Sequence, residues 1–316
     1  MDTTPSSLTA VFLFNHRFEK NIDKLERIYK DRFSTRKYIM PFASRNDNQV
    51  TRVYETSWNF SGHIAQAGPS ITVPGTTHYV VIADDLILNP QLNEHNLLDK
   101  LGLAADAAYI KSLASVDTLR YKWWRAFGET LNLDSRASGF DFRQELPSAE
   151  EAQSRFEKLG VDFRLPRPKG IRDWRNALWV FPGAFGWSAM LRYRRHRTSY
   201  PLIFGYADFF IVPAAAWERF LHYCGVFAAL NCFAEVAVPT ALSLAADKVV
   251  TELPINEHFI RSRPRQPGPS LQGRELWGAT AINGFVQPFD RSLDRLLHDF
   301  PKELLYVHPV KLSQFN

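Results

Sequence analysis

A chain of 316 residues with 45% hydrophobic and 22% charged side chains has the composition of an ordinary globular protein. Its net charge of +5, from 38 basic against 33 acidic residues, is too small to point to nucleic acid, and no zinc-finger or RNP motif is present. The only cysteines, Cys224 and Cys232, lie in an apolar run and read as small buried hydrophobes in a reducing compartment.

In chain order, Thr9 to Phe14 (TAVFLF) predicts a short buried strand. The following NHRFEKNIDKLERIYKDRF predicts a helix with Ile22, Leu25, Ile28 and Tyr29 on one face. Arg36 to Pro41 reads as the next strand, so the chain opens as a β-α-β unit, which implies a parallel pair with a right-handed crossover. Val50 to Tyr54 is a further strand and Thr56 to Ala67 a helix, before an apolar strand that ends at Ala83. From Leu97 to about Leu165 the pattern is helical and irregular. Tyr200 to Val212 (YPLIFGYADFFIV) predicts a strand pair or a bent strand, followed by helices over Pro213–Phe227 and Phe233–Leu244. A last helix over Asp290–Phe300 precedes LLYVHPVKLSQF.

Two longer-range readings follow. The run from Tyr223 to Ala246 is long enough to span a bilayer, but Asn231, Glu235 and Pro239 near its centre make it two core segments with a polar site between them. Ala10 to Phe14 is too short for a signal-peptide core and lacks a basic leader, so the expected location is the cytoplasm, either free or peripheral on the inner face of the plasma membrane. With no internal repeat and no clean linker, the expectation is a single α/β domain over residues 1–316. Residues 9–110 would form a nucleotide-binding half and residues 111–316 an acceptor-binding half.

The chemistry gathers on YVVIADDLILNP, where Asp84 and Asp85 stand between two apolar runs. Adjacent like charges destabilise each other unless a cation or a set of donors offsets them. A strand simply ending in a turn is one reading; a cation-and-phosphate site at the carboxyl end of a buried strand is the other. No G-x-G-x-x-G follows the first strand and no Walker lysine motif is present, so a dinucleotide or P-loop site is not expected. A divalent cation held by carboxylates, with water and phosphate oxygens completing its shell, is another way to hold a diphosphate.

Here a resemblance adds to the residues. VVIADDLILNP resembles the D-x-D segment of GT-A fold glycosyltransferases, GYADFFIVPAAAWERFLHYCGVFAALNCFAEVAVPTAL is similar to their later core, and YVHPVKLS to their C-terminal metal-binding histidine. The three stretches occur in the family's order between about Thr9 and Ser313. The resemblance implies a mixed, mainly parallel sheet flanked by helices, and transfer of a sugar from a nucleoside-diphosphate sugar to an oligosaccharide or lipid-linked glycan, as in bacterial surface-polysaccharide assembly. It implies a divalent cation, Mn²⁺ or Mg²⁺, on Asp85 and His308, with Lys311 at the phosphates and Asp84 at the ribose or sugar. Phe14, Asn15 and Arg17, after the first strand, would meet the base and ribose, although an ordinary turn with Asn15 as helix cap reads equally well.

Two departures stand out. The D-x-D segment is Ala83-Asp84-Asp85, so its first acid is missing, and the family's Glu-Asp pair is Glu235-Val236. Glu235 amid FAEVAV is the candidate general base for an inverting transfer, with Asp208 in YADFFIV as the second. The basic run Arg192 to Arg197 (RYRRHR) reads as a solvated face or as a contact for a phosphorylated or membrane-held acceptor. A nucleotidyltransferase or sugar-phosphate pyrophosphorylase, and a non-catalytic carbohydrate-binding protein on a degenerate core, are the alternatives.

Overall fold

Strand β1 (Ser7–Leu13) and helix α1 (Lys20–Tyr29) open the computed structural model, which describes residues 7–116, 133, 139–162, 200–252, 272–275, 289–302 and 304–316. β1 is almost wholly apolar because it has a parallel neighbour on each side and buries both faces. α1 places Ile22, Leu25, Ile28 and Tyr29 on the sheet side as its periodicity predicts, with Asp23 in its first turn and Arg27 in its last, each complementing the helix dipole.

β2 (Thr35–Pro41) and β3 (Val50–Val53) continue the parallel set. A 3-10 turn over Ser57–Asn59 leads into α2 (Phe60–Ile71), whose first turn is capped by the Asn59 side chain on the Gly62 N–H. β4 (Thr76–Ala83) stops at the residue before the two acids. After it come β5 (Ile87–Leu88), α3 (Leu97–Leu101), β6 (Ala107–Ile110) and β7 (Leu113–Ser115). α4 (Ala149–Lys158) opens on a capping box between Ser148 and Glu151. β8 (Ile203–Gly205), β9 (Phe209–Pro213), α5 (Ala214–Ala229), α6 (Ala234–Ala245) and β10 (Lys248–Thr251) follow. β11 (Gln272–Glu275), α7 (Leu293–His298) and β12 (Leu304–His308) complete the set.

The fold is mixed α/β around a mainly parallel seven-stranded sheet of order β10-β6-β9-β4-β1-β2-β3. β9 runs antiparallel to both of its neighbours, β4 and β6, and the remaining pairs are parallel. β9 therefore lets β6 point the same way as β4, and both strands deliver their carboxyl ends to one edge. Strands from both expected halves share this sheet. Smaller sheets join β11, β12 and β5, and β7 with β8.

Several sequence expectations are corrected. The stretch read as helical from Leu97 contains β6 and β7, and β10 was not anticipated. Segments such as AAYI and LAS are too short to show a period, and burial of every residue erases the alternation that marks a strand. The helix expected over Asp290–Phe300 covers only Leu293–His298. The run Tyr223–Ala246 does divide into two helices, broken where Asn231 takes a positive φ of 49°. Among the described residues, no helix is long and apolar enough to cross a membrane. The Arg192–Arg197 cluster lies outside the described residues.

Candidate functional site

β1 and β4 end side by side, with Leu13 in register with Ala83. The Asp84 N–H donates to the Leu13 carbonyl at 3.0 Å, and the Ala83 N–H to the Asp208 carbonyl at 2.8 Å. From β1 the strand order runs to β2 on one side and to β4 on the other, and such a switch in an open parallel sheet leaves a crevice at the carboxyl ends. Asp84 and Asp85 fall at this crevice, 3% and 7% exposed.

The far end of the described chain returns to the same place. β12 pairs antiparallel with β5, Tyr306 opposite Leu88 and Val307 opposite Ile87. Continued, that register sets His308 and Pro309 opposite Leu86 and Asp85, and the Val310 N–H donates to the Asp85 carbonyl at 2.6 Å. Asn89 fixes the start of β12 by donating from Nδ2 to the Leu304 carbonyl at 2.9 Å, while Lys24 of α1 holds the Leu312 carbonyl at 2.8 Å. His308 Nε2 thus comes to 3.2 Å from Asp85 Oδ1, and Lys311 Nζ to 2.9 Å from Asp85 Oδ2 across 226 positions of sequence.

The two adjacent carboxyls are driven apart electrostatically. Burial, and then the charge of Asp85, push Asp84 up to about 7, against the pull of the Asn15 N–H (3.1 Å to Oδ1), Lys311 and the Asn21 side chain. Burial also opposes ionisation of Asp85, but His308 and Lys311 outweigh it and hold that carboxyl well below the usual carboxylate range. Burial works against the Lys311 ammonium, yet Asp85, then Asp84 and Asp208, raise it. Asp208 is therefore close enough for its charge to reach Lys311.

The residues suit a divalent cation in one specific respect. Asp85 Oδ1 is buried and receives no hydrogen bond, although His308 Nε2 faces it at 3.2 Å. Two ligand atoms at that spacing match adjacent positions of a shell with bonds of about 2.2 Å, and an oxygen and an imidazole nitrogen are a set that Mn²⁺ accepts. Among the described residues, no group of three or more His, Cys, Asp and Glu side chains could hold an ion. Water and phosphate oxygens would have to supply the rest of the shell.

The remaining expected residues divide. Asn15 does not cap α1, whose N-cap is Glu19; instead its backbone N–H and its Nδ2 (3.5 Å) turn to Asp84. Phe14 is fully buried with its ring edge-on to Tyr38, so its side chain belongs to the core and offers no surface to a base. Arg17 is exposed and paired with Glu19 at 3.0 Å. It and Glu19 line a cavity of about 470 Å³ with Phe18, Lys20, Asn21, Lys24 and Ser313. Asn21 connects that cavity to Asp84. Glu235 lies half-buried in the first turn of α6, an element whose N-cap Phe233 packs on Trp58 at 4.4 Å.

Residues not singled out from sequence also reach the site. The Tyr206 hydroxyl is hydrogen-bonded to His308 Nδ1 at 2.9 Å, and the Tyr206 ring stacks on Tyr306 at 6.0 Å. Buried Lys111, just beyond β6, holds its ammonium 4.9 Å from the Tyr206 ring and 5.4 Å from that of Tyr306. The only sequence signal was a lone lysine directly after a short apolar run, AAYIK.

No family model matches the chain, and no curated protein matches it. Among solved structures, the chain is similar to the mannosyltransferase Ktr4p from S. cerevisiae at 12% sequence identity, over 77% of this chain and 67% of that one, with a TM-score of 0.33. A likeness at that level carries no inference about activity.

Proposed function

We propose that the chain is a glycosyltransferase that moves a sugar from a nucleoside-diphosphate donor onto a carbohydrate hydroxyl. The observation that carries this reading is the convergence of His308 and Lys311 on Asp85 at the edge where β1 and β4 end. A crevice with buried carboxylates, a facing imidazole and a half-exposed lysine suits a diphosphate whose charge must be offset as it leaves. Asp85 and His308 would hold a divalent cation, Mn²⁺ or Mg²⁺, whose contribution is electrostatic stabilisation of the leaving diphosphate.

The chain's own groups then have distinct tasks. Lys311, drawn in by Asp85, Asp84 and Asp208, can turn its ammonium to a phosphate oxygen. Asp84, oriented by Asn15, is the acceptor for a ribose or sugar hydroxyl. Arg17, Lys20 and Lys24 line the adjoining cavity together with Glu19, leaving an excess of positive charge there that favours an anionic ligand. In the transfer itself a carboxylate takes the acceptor hydroxyl's proton, the oxygen attacks the anomeric carbon, and the bond from that carbon to the diphosphate breaks, with inversion. Glu235 and Asp208 are the two candidates; Asp208 is favoured by its place beside the end of β4, where its carbonyl accepts from the Ala83 N–H at 2.8 Å.

Calorimetry with nucleoside diphosphates, with and without Mn²⁺, tests this reading, followed by a screen of nucleotide sugars for cation-dependent hydrolysis. Binding strengthened by Mn²⁺ is the expected result. Failure of every nucleoside diphosphate to bind in the presence of Mn²⁺ would overturn it.

A further inference from the structure

Resting on that reading of the Asp85–His308 pair, we infer that Tyr206 is a positioning residue that sets which ring nitrogen of His308 carries a lone pair on the Asp85 side, where a cation would bind. His308 presents two nitrogens to two different partners: Nδ1 to the Tyr206 hydroxyl at 2.9 Å, and Nε2 to Asp85 Oδ1 at 3.2 Å. A neutral imidazole carries one N–H, so the bond made by one nitrogen decides whether the other offers a lone pair. When the Nδ1–H donates to the Tyr206 oxygen, Nε2 carries its lone pair on the Asp85 side, beside Oδ1 at 3.2 Å. Two lone pairs facing each other at 3.2 Å repel unless a cation lies between them. His308 Nε2 stands 3.2 Å from that buried oxygen without meeting it in a hydrogen bond.

A hydroxyl suits this role because it can donate as well as accept. Without a cation it can rotate to donate to Nδ1, which leaves the N–H on Nε2 facing Asp85. A side chain that only accepts, or only donates, would fix one tautomer and lose the other. The ring that carries the hydroxyl is held firmly. Tyr206 is fully buried, stacked on Tyr306 at an interplanar angle of 11°, with the Lys111 ammonium against both rings. Behind it, Gly205 lets β8 approach the Ser112 carbonyl and Pro239 closer than any side chain would permit. The hydroxyl therefore stays where Nδ1 needs it. Groups that orient a ligating histidine through its second nitrogen typically matter by 10- to 100-fold in metal affinity.

The test is Tyr206→Phe, which keeps the ring, its stack and the lysine contact and removes only the hydroxyl. Mn²⁺ alone is the probe, and binding is read by loss of the free-ion electron paramagnetic resonance signal, independent of any activity. Tyr109→Phe is the matched control: it removes another buried hydroxyl, the one bonded to Glu252 at 3.1 Å, away from His308. The expected result is a roughly 10- to 100-fold weaker Mn²⁺ affinity for Tyr206→Phe, with Tyr109→Phe within about twofold of the unaltered protein. Equal affinity in Tyr206→Phe and the unaltered protein would overturn the positioning role while leaving the cation site standing. Equal weakening in both variants would reduce Tyr206 to a structural hydroxyl and overturn it as well. No Mn²⁺ binding by the unaltered protein would overturn the cation reading itself.

Discussion

Replacing Asp84 with Asn should make the protein more stable, and only above a defined pH. In the folded chain burial and the neighbouring Asp85 charge push the Asp84 carboxyl up to about 7 from its ordinary 3.8. A group whose folded value is raised contributes its stability below the unfolded value and loses it as the pH climbs through the folded one. Between about pH 4 and pH 7 the unfolded chain has already ionised Asp84 while the folded chain resists, so stability falls across that window. The shift is 7 − 3.8, about 3 units, which at 1.36 kcal/mol each gives about 4 kcal/mol. Asn keeps an oxygen for the Asn15 N–H and cannot ionise, so it removes the penalty and little else. With an unfolding entropy of about 2.1 cal/mol/K per residue, a gain of about 4 kcal/mol in a chain of this length corresponds to about 6 °C in Tm. The assay is calorimetric or fluorescence-monitored melting with a chelator present, at pH 4 and pH 8.5. The two proteins should melt together at the lower pH and separate at the higher. Added Mn²⁺ should narrow the gap, because a cation on Asp85 favours ionised Asp84. A gap of the same size at both pH values would refute the reasoning.

Three further outcomes are expected. Asp85→Ala and His308→Ala should each abolish the enhancement of nucleotide binding by Mn²⁺ while leaving far-ultraviolet circular dichroism unchanged; an enhancement that survives in both sinks the proposed cation site. Of Asp208→Asn and Glu235→Gln, the variant at the general base should lower transfer by on the order of 10²–10⁴ while sparing donor binding, and we expect it to be Asp208→Asn. More than roughly a tenth of the transfer rate in both variants would rule out either carboxylate as base. Gly205→Ala should lower stability by about 1–3 kcal/mol, since its Cβ would collide with the Ser112 backbone carbonyl, which cannot move as a side-chain tip could; an unchanged Tm would show that the strand shifts freely.

How far the sequence carried these conclusions depends on where each signal resides. The β-α-β opening was legible because TAVFLF is a continuous apolar run and the helix after it shows a clean period. The end of β4 at Ala83 was legible because charge replaces apolar residues there. The return of His308 and Lys311 to Asp85 is an expectation from the resemblance of YVHPVKLS alone; its physical cause is the two-residue pairing of β5 with β12, which is too short to be seen in sequence. The place of the Phe14 side chain is not legible in sequence, because a residue just past a strand can turn either way and only the position of Tyr38 puts the ring in the core. Tyr206 and Lys111 escaped notice because a tyrosine and a lysine amid apolar residues look like packing until a third element, β12, brings His308 against them.

The antiparallel strand in the interior of the sheet, β9, has a consequence for how the chain is made. β4 ends at Ala83, and its partner β9 begins at Phe209, 126 residues later. At synthesis rates of 5–20 residues per second, about 6–25 s separate the two on the ribosome. During that interval the β4 edge, with Tyr79, Val80, Val81 and Ile82 in a row, has no strand to pair with. β6 is equally stranded, since it too meets the sheet through β9. An apolar edge left bare for seconds is a template for wrong partners, so the interval before β9 emerges is the stage at which a chain of this topology is most exposed to mispairing.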